Sequence, residues 1–433
     1  MSAGVVFLIF FSFMAVGIPI AISVGWASLS VGILNPSFAA DSVFFFRNMV
    51  SGMDSYVLLA VPLFMLSGNI MAVGGISDRL FDFFAYFFGK RPSGLPTAVV
   101  LTCLFYGAIS GSGPATVAAI GAMCIPLLVN LGYDKVWVTA MIAVSGGLGV
   151  IIPPSIPYIT YGLATGTSVG DLFIAGFLPG ILIALCLISY IIFFFGRHDN
   201  SQLRIIENSN RLKEMGLSGV LKRSFFALLC PVIILGGIYT GIVTPTEAAV
   251  VSVDYAILVC MFVFRSLSLK DLLKTFVDTA RTATPVMLIL SICVVFGRIL
   301  TMLNVPQQVA LLVTSNISSP ILVFIAINVF LLFVGMIMDT VPAILILAPI
   351  LQPITAQYGM DPIHFGIMMS VNLAIGFVTP PIGTNLFVAQ SISGIPILNI
   401  AKKALPFILM FIVALLLITY IPEVSMMLPN MMK

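Results

Sequence analysis

Long stretches without a charged side chain dominate this 433-residue sequence. The first 40 residues contain no Asp, Glu, Lys or Arg, and neither do the stretches 92–133, 299–338 and 362–401. A membrane-spanning helix needs about 20 mainly apolar residues, so each stretch is long enough to cross a bilayer. The chain is therefore expected to be an all-α polytopic membrane protein.

The composition excludes several classes of soluble protein. Hydrophobic residues make up 60% of the chain and charged residues only 8%, against roughly 45–50% and 25% in soluble domains. A net charge of +3 is too small for a nucleic-acid-binding surface. With two histidines and no G-x-x-x-x-G-K-[ST] motif, neither a His-rich metal site nor an ATP-driven motor is expected.

The distribution of Lys and Arg predicts the topology. With a cytoplasmic N-terminus and a periplasmic C-terminus, 16 of the 19 basic residues lie on the cytoplasmic side, as the positive-inside rule requires. This count holds only if two hairpins, at about 93–131 and 319–358, enter and leave the membrane on the same side. The predicted crossings lie near 5–34, 55–74, 135–168, 172–195, 225–243, 246–265, 283–303, 362–397 and 404–422.

Glycines and prolines recur at one fixed spacing. When the sequence is shifted by 227 residues, Gly132-Tyr133-Asp134 aligns with Gly359-Met360-Asp361, and Pro153-Pro154 aligns with Pro380-Pro381. Gly149 aligns with Gly376 in the same register. Because glycine and proline fix backbone geometry, these matches imply a repeated structural unit.

The predicted topology makes the two units inverted. The division is 1–195 for the first repeat, 196–245 for a cytoplasmic linker and an extra transmembrane helix, and 246–433 for the second repeat. Each repeat has one re-entrant hairpin and one broken helix, at about 135–168 and 362–397. Four crossings plus the extra helix make an odd number, so the second unit inserts upside down. Inverted repeats with broken helices are typical of secondary transporters, whose sites lie at the breaks near the bilayer midplane.

Four short segments contain too much Gly, Pro and Ser for continuous helix. They are Ser110–Thr116 and Gly335–Thr340 at the hairpin tips, and Gly146–Ser155 and Gly376–Asn385 in the broken spans. Unwound backbone at membrane depth leaves carbonyl and amide groups without helical partners. Carbonyl and hydroxyl oxygens suit a small hard cation, and a helix N-terminus favours a carboxylate. The segments therefore predict a paired site for a cation and an anion.

Charged residues inside the predicted spans are candidates for function. Asp339, at a hairpin tip, is expected to contact a cation or the substrate. Arg298 is expected either to bind a substrate carboxylate or to pair with an acid on another helix. Thr244 and Glu247 have the spacing of a capping box, whereas Asp254 is expected to face a helix partner or water.

In their order along nearly the whole chain, these motifs resemble the large membrane subunit of tripartite ATP-independent periplasmic (TRAP) transporters. The resemblance implies a sodium-driven importer of a small organic acid, of the sialic acid or dicarboxylate type, in the bacterial inner membrane, and no enzyme activity. It implies an elevator motion of a transport domain that carries both hairpins. It rests on Ser110-Gly-Ser112-Gly, Ile152-Pro153-Pro154-Ser155, Leu172-Phe-Ile-Ala-Gly176-Phe-Leu-Pro179-Gly180, Thr244-Pro-Thr-Glu247-Ala, Gly335-Met-Ile-Met-Asp339 and Thr379-Pro380-Pro381-Ile382-Gly383.

Carried over by position, the resemblance assigns two sodium sites and a substrate site. The first sodium site would use Ser110, Ser112, Gly149, Ile152 and Pro154. Its pseudo-symmetric mate would use Gly335, Asp339, Gly376, Thr379 and Ile382. The organic anion would lie between the tips, near Thr116, Ser155, Thr340, Thr384 and Asn385, with Arg298 as a further candidate.

The resemblance also implies two partner chains in addition to the lipid bilayer. One is a small membrane subunit of four helices, and the other is a soluble periplasmic protein that delivers the substrate. The family usually has an uncharged residue where this sequence has Asp254.

Three other kinds of membrane protein share some of these features. A stand-alone homodimeric sodium/dicarboxylate elevator transporter would take up substrate without a soluble helper. A scaffold or channel would use the breaks only for packing and would need no sodium. An intramembrane hydrolase fits poorly, because Ser110 and Ser112 have no nearby histidine or lysine to activate them.

The inverted topology is tested by labelling single cysteines placed next to Gly132 and Gly359. An impermeant thiol reagent added to intact cells that have a permeable outer membrane should label the second position and leave the first unlabelled. Labelling of both positions from the same side would contradict the inversion.

Overall fold

The computed structural model describes residues 3–35, 38, 40–89, 91–195 and 216–432. The predicted linker therefore lies, over 196–215, outside the described residues. Within these ranges the chain forms twenty α-helices. Nine helical segments of the described chain are long and apolar enough to cross a membrane.

The first half of the chain contributes ten helices. They are α1 (Ala3–Ala15), α2 (Ile20–Leu34), α3 (Ser42–Met53), α4 (Ala60–Val73), α5 (Ile76–Phe88), α6 (Gly94–Ser110), α7 (Gly113–Asn130), α8 (Lys135–Ser145), α9 (Ile156–Thr165) and α10 (Val169–Phe195). Short 3₁₀ segments precede α4 and follow α8.

The second half contributes another ten. They are α11 (Gly216–Tyr239), α12 (Pro245–Leu258), α13 (Leu269–Met302), α14 (Val305–Asn316), α15 (Pro320–Ile337), α16 (Thr340–Gln357), α17 (Pro362–Gly376), α18 (Thr384–Ser393), α19 (Ile397–Tyr420) and α20 (Glu423–Met432). A π-helical turn continues α12.

Helix boundaries repeat at the same 227-residue shift. The bounds of α7 coincide after the shift with those of α16, and those of α6 and α15 agree to within one residue. The match extends upstream of the second predicted repeat, which begins at 246, because after the shift α1 overlaps α11 and α2 overlaps α12. Helices α3 and α4 correspond to the two ends of the long α13. The helix near 225–243, expected to be an extra one, therefore has a counterpart.

Contacts between helices also exchange when the two halves are exchanged. The second hairpin arm α7 packs against α18, and its counterpart α16 packs against α9. In the same way α2 packs against α13, and α12 packs against α4. Such reciprocal contacts are those of two units related by a pseudo-two-fold axis. The second half of each broken helix, α9 or α18, therefore lies beside the hairpin of the other repeat.

Two predicted elements differ from the helices observed. The sequence predicts one crossing near 5–34, but a turn at Gly17, with φ of +86°, and Pro19 separates α1 from α2. The crossing predicted near 283–303 is the C-terminal part of one 34-residue helix, α13, which continues through Pro285. Hydropathy indicates neither difference, because apolar residues continue across the Gly17 turn and Pro285 lies inside a continuous helix.

The half-helices α8 and α17 begin in the same way. Gly132 and Gly359 both have positive φ, +99° and +84°, which only glycine adopts without strain. Two residues later an aspartate caps the helix, since Asp134 Oδ1 accepts from Trp137 N and Asp361 Oδ1 accepts from Ile363 N, both at 2.7 Å. These turn and cap signals fix where each broken helix starts.

Glycines allow the broken helices to pack closely against their neighbours. Gly366 on α17 faces the Tyr161 ring and Leu172, and a Cβ built there would lie 2.8 Å from Tyr161 Cδ1 and 2.9 Å from Leu172 Cδ2. The ring cannot easily move, because Tyr161 Oη donates to the Pro362 carbonyl at 2.7 Å.

Gly366→Ala should therefore lower the free energy of unfolding by about 1–3 kcal/mol, the usual cost of overpacking a tight core. Thermal unfolding in detergent, followed by tryptophan fluorescence or size exclusion, measures this. Gly236→Ala is the matched control, because a Cβ there meets no atom within 4 Å. Equal stability of the two variants would contradict close packing at Gly366.

Candidate cation and anion site at the hairpin tips

The tip of the first hairpin is a compact set of oxygen atoms. Gly111 has a φ of +60°, which reverses the chain between α6 and α7. The Ser112 side chain caps α7 by accepting from Ala115 N at 3.4 Å. Thr116 Oγ1 donates to the Ser112 carbonyl at 2.8 Å and lies 3.1 Å from Ser110 Oγ. Hydroxyl and carbonyl oxygens of three residues are thus held within one turn.

The first broken helix presses its glycine against this tip. A Cβ built at Gly149 would lie 2.7 Å from the Ser112 carbonyl oxygen, so only glycine fits there. On the other side of the tip, a Cβ at Gly111 would lie 2.8 Å from the Pro154 carbonyl oxygen. Four of the five residues predicted for the first sodium site, all except Ile152, therefore line one junction. The Ile152 side chain packs against Gly180 on α10.

The second hairpin tip repeats the arrangement with a carboxylate. Asp339 is the N-cap of α16, and its Oδ1 accepts from Thr340 N at 2.6 Å and from Thr340 Oγ1 at 3.3 Å. Its side chain is exposed at the tip, and no Lys or Arg of the described residues lies within ion-pair distance of it. The tip therefore presents an unneutralised acidic group.

The second broken helix is joined directly to this tip. Gly335 and Gly376 touch backbone to backbone, and a Cβ at Gly335 would lie 3.3 Å from the Gly376 Cα. Ile382 N donates to the Met336 carbonyl at 3.2 Å. Thr379 Oγ1 donates to the Ile375 carbonyl at 2.8 Å. Of the residues predicted for the second sodium site, the structure joins Gly335, Gly376 and Ile382 and leaves Asp339 facing outward beside them.

Asn385 connects the two repeats. Its Nδ2 donates to the Ala143 carbonyl of the first repeat at 3.0 Å, and its backbone N donates to the Phe377 carbonyl at 3.0 Å. Its Oδ1 is buried without a hydrogen-bond partner and lies against Gly113 at the first tip. Thr384 Oγ1 is likewise buried and unpartnered. An unpartnered amide oxygen beside a hairpin tip suits a cation or a hydrogen-bond donor of a bound ligand.

The other predicted substrate residues are already engaged in local hydrogen bonds. Ser155 Oγ donates to the Val150 carbonyl at 2.5 Å, which closes the first break. Thr116 and Thr340 bond to their own tips, as described above. Arg298 is not beside these residues, because it lies on α13 next to Asn48. Of the predicted substrate residues, Asn385 lies at the first tip, and Arg298 lies apart on α13.

The structure settles the local role of one intramembrane acid and the orientation of another. Glu247 closes a capping box, with Thr244 N donating to Glu247 Oε2 at 2.7 Å, as the spacing predicts. Asp254 is exposed on the outer face of α12, and no basic residue of the described chain pairs with it.

A buried polar chain in the second repeat escaped the sequence analysis. Asn372 Nδ2 on α17 donates to Asn328 Oδ1 on α15 at 2.8 Å, and Asn328 Nδ2 donates to Thr419 Oγ1 on α19 at 3.2 Å. His364 lies at its outer end, with Nδ1 2.5 Å from Ser425 Oγ. In the sequence, two asparagines within apolar helices are the feature that could have indicated this hydrogen-bonded chain. The chain ties the second hairpin to the second broken helix.

Comparison with known proteins identifies the family of the chain. The family model described as "Tripartite ATP-independent periplasmic transporter, DctM component" matches residues 7–424. The C4-dicarboxylate TRAP transporter large permease protein DctM of Pseudomonas aeruginosa is 41% identical over 377 residues, covering 87% of each chain. The 2,3-diketo-L-gulonate TRAP transporter large permease protein YiaN of Escherichia coli is 34% identical, covering 96% of this chain and 97% of its own.

One relative is longer than this chain, and one solved structure shares the fold. The isethionate TRAP transporter permease protein DctMQ of Oleidesulfovibrio alaskensis is 40% identical over 98% of this chain, which spans 65% of that relative. The crystal structure of the Alcanivorax borkumensis YdaH transporter matches with a TM-score of 0.59 at 15% identity, covering 88% of this chain and 89% of that one. This chain belongs to the DctM family, the large membrane components of TRAP transporters.

Proposed function

We propose that this chain imports a small organic acid anion with sodium ions by an elevator motion, in the bacterial inner membrane. The observation that carries the proposal is the junction of each hairpin tip with a broken helix, repeated in both halves. At each junction, oxygens cluster where glycine lets two backbones touch. The related permeases whose names specify a substrate are named for isethionate, C4-dicarboxylates and 2,3-diketo-L-gulonate, which supports a small organic anion, a carboxylate or a sulfonate, as the cargo.

The chemistry of the junctions suits sodium. Sodium, like other hard cations, prefers oxygen ligands, and the first tip offers Ser110, Ser112 and Thr116 with no charge. The second tip adds the carboxylate of Asp339. Two bound sodium ions and the one negative charge of Asp339 would give the two tips a net charge of +1. That charge can neutralise a substrate carboxylate lying near Asn385, between the tips.

The energetics of anion import favour such coupling. Against an inside-negative potential, moving a monoanion inward costs about 2.3 kcal/mol per 100 mV. Two sodium ions moving with it reverse the sign of the transported charge, so the same potential contributes about 2.3 kcal/mol per 100 mV in favour of import. The sodium concentration gradient adds to this. Import of a dianion would need at least three sodium ions to gain the same advantage.

An elevator motion is supported by how the helices group. The hairpins and broken helices pack against one another across the repeats, α7 on α18 and α16 on α9. Helices α2, α3, α4, α12 and α13 form a second group with contacts of their own. Inverted repeats commonly move one such group past the other around a fixed site.

A small membrane subunit is supported by Asp254. The residue lies in the middle of the 19-residue span Pro245–Val263, ~14 Å from its start at 1.5 Å per residue. An exposed carboxylate at that depth is costly against acyl chains. A transmembrane helix of a partner that offers a basic or amide side chain would satisfy it. We therefore place the small subunit against this face of α12, and the periplasmic binding protein on the outer side.

The sodium sites are tested by Ser112→Ala and Asp339→Ala. Each variant should raise the sodium concentration for half-maximal uptake by at least about tenfold, since one ligand to a charged group contributes roughly 1.5–3 kcal/mol. Uptake is measured in proteoliposomes with the small subunit and the loaded binding protein, using succinate, isethionate and 2,3-diketo-L-gulonate as labelled substrates.

Ser315→Ala and Asp278→Ala are the controls, because both side chains are exposed and far along the chain from either tip. Unchanged sodium dependence in both tip variants would remove the proposed sites. Uptake by this chain without any binding protein would instead favour the stand-alone homodimeric transporter.

The subunit interface is tested by Asp254→Lys. This reversal should lower the small subunit recovered with an affinity-tagged large subunit by at least about fivefold, because a like or unpaired charge at mid-bilayer is strongly unfavourable. Asp254→Asn should retain most of it, since an amide can still form a hydrogen bond. Asp278→Lys, at an exposed position on α13, is the control. Full recovery with Asp254→Lys would place the small subunit elsewhere.

A further inference from the structure

A pair of asparagines joins the second hairpin to the second broken helix below the tip. Asn372 Nδ2 on α17 donates to Asn328 Oδ1 on α15 at 2.8 Å and to the Asn328 main-chain carbonyl at 3.0 Å. Both side chains are buried, and Asn328 Nδ2 donates in turn to the Phe324 carbonyl at 2.9 Å. The asparagine pair, Asn328 and Asn372, therefore links the two helices through side chain and backbone together.

The asparagine pair lies on the same helix faces as the glycine contact of the second junction. Asn372 precedes Gly376 by four residues on α17, and Asn328 precedes Gly335 by seven residues on α15. Positions four and seven apart share one face of a helix. At 1.5 Å per residue, the pair lies ~6 Å along α17 and ~10 Å along α15 from the point where the glycines touch. It can therefore set the register at which the two backbones meet.

The first repeat makes the same glycine contact without such a pair. The 227-residue shift places Leu101 and Ser145 at the positions of the two asparagines. The Ser145 hydroxyl is buried and has no hydrogen-bond partner. Gly107 nevertheless touches Gly149, since a Cβ built at Gly107 would lie 2.8 Å from the Gly149 Cα. Close packing of a hairpin on a broken helix therefore does not depend on the asparagines.

The two hairpin tips differ in a complementary way. At the first tip, the hydroxyls of Ser110 and Thr116 lie 3.1 Å apart, and Thr116 Oγ1 also holds a main-chain carbonyl of the tip at 2.8 Å. The same shift places Ile337 and Ala343 at these two positions of the second tip. Neither residue has a hydroxyl. The asparagine pair thus occurs in the repeat whose tip lacks these local hydrogen bonds.

We propose that the asparagine pair positions the second sodium site, by holding the main chains of Gly335 and Gly376 in place before the ion binds. The inference rests on the proposed sodium coupling and adds two residues to it. Oxygens that are already ordered bind an ion more tightly, because less conformational entropy is lost on binding. At the first site the tip hydroxyls supply this order. At the second site the asparagine pair supplies it from within the helices.

An exchange variant tests the positioning role. It combines Asn328→Leu with Asn372→Ser, the residue types that the first repeat has at these positions. Binding of radioactive sodium to the purified chain in detergent needs neither partners nor transport. In a Ser112→Ala background, binding reports mainly the second site, and the exchange should raise half-saturating sodium about fivefold, as expected for one or two lost hydrogen bonds. Asn372→Ser alone is a second variant with the same expected direction.

Three comparisons separate positioning from a general loss of stability. In an Asp339→Ala background, where binding reports mainly the first site, the exchange should change half-saturating sodium less than about twofold, since distant sites act independently. A loosened site discriminates less by ion size, so the ratio of half-saturating lithium to sodium should fall. Thr419→Val removes the 3.2 Å bond from Asn328 Nδ2 but leaves the link between α15 and α17, and it should alter neither value.

The outcomes distinguish this inference from the proposed function. Unchanged sodium binding after the exchange in the Ser112→Ala background would overturn the positioning role and leave sodium coupling in place. An equal effect in the Asp339→Ala background, or with Thr419→Val, would also overturn it, because the asparagines would then act only on stability. Absence of sodium binding by the unmodified chain would contradict both proposals.

Discussion

Main-chain groups that lose their helical partners inside a membrane must find others, and this requirement organises the molecule. Each unsatisfied group in hydrocarbon costs several kcal/mol, so a broken helix is stable only where another part of the protein meets it. Here the second hairpin does so where Ile382 N bonds to the Met336 carbonyl, and the two broken helices do so for each other where the Asn385 amide reaches the Ala143 carbonyl. The breaks and the tips depend on each other. A site of oxygens at the midplane follows from that dependence.

Glycine makes this mutual support possible. Where a hairpin and a break meet, the backbones approach so closely that Gly149 and Gly376 have no room for a Cβ. Close approach brings carbonyl oxygens of two segments into one small space, which a side chain would otherwise fill. The residues that allow packing are thus the residues that create the site. This explains why the residues predicted as sodium ligands at the junctions include glycines, which have no functional side chain.

Much of this arrangement follows from the sequence, for a clear reason. Turn and cap signals are local, so Gly132, Asp134 and their counterparts at 359 and 361 mark both broken helices, and the small residues at 110–116 mark a hairpin tip. Contacts across the repeats are not local. Nothing in the sequence around Asn385 indicates that its amide reaches Ala143, and Arg298 could be placed in a span but not in a crevice away from the tips. The turn at Gly17 was also missed, because hydropathy continues across it.

The two repeats share a fold but not the same packing, and the difference bears on how the molecule moves. Helix α5 packs mainly against the first arm of its hairpin, α6, whereas its counterpart α14 packs mainly against the second arm, α16. An apolar groove of about 440 Å³ remains beside α14, lined by side chains such as Val309, Phe330 and Ile350. Two copies of one unit thus hold two different arrangements at once. In the proposed elevator motion the two halves would exchange these arrangements, and the groove would move to the other side. In the proposed transporter, that exchange would carry the hairpin tips past α13.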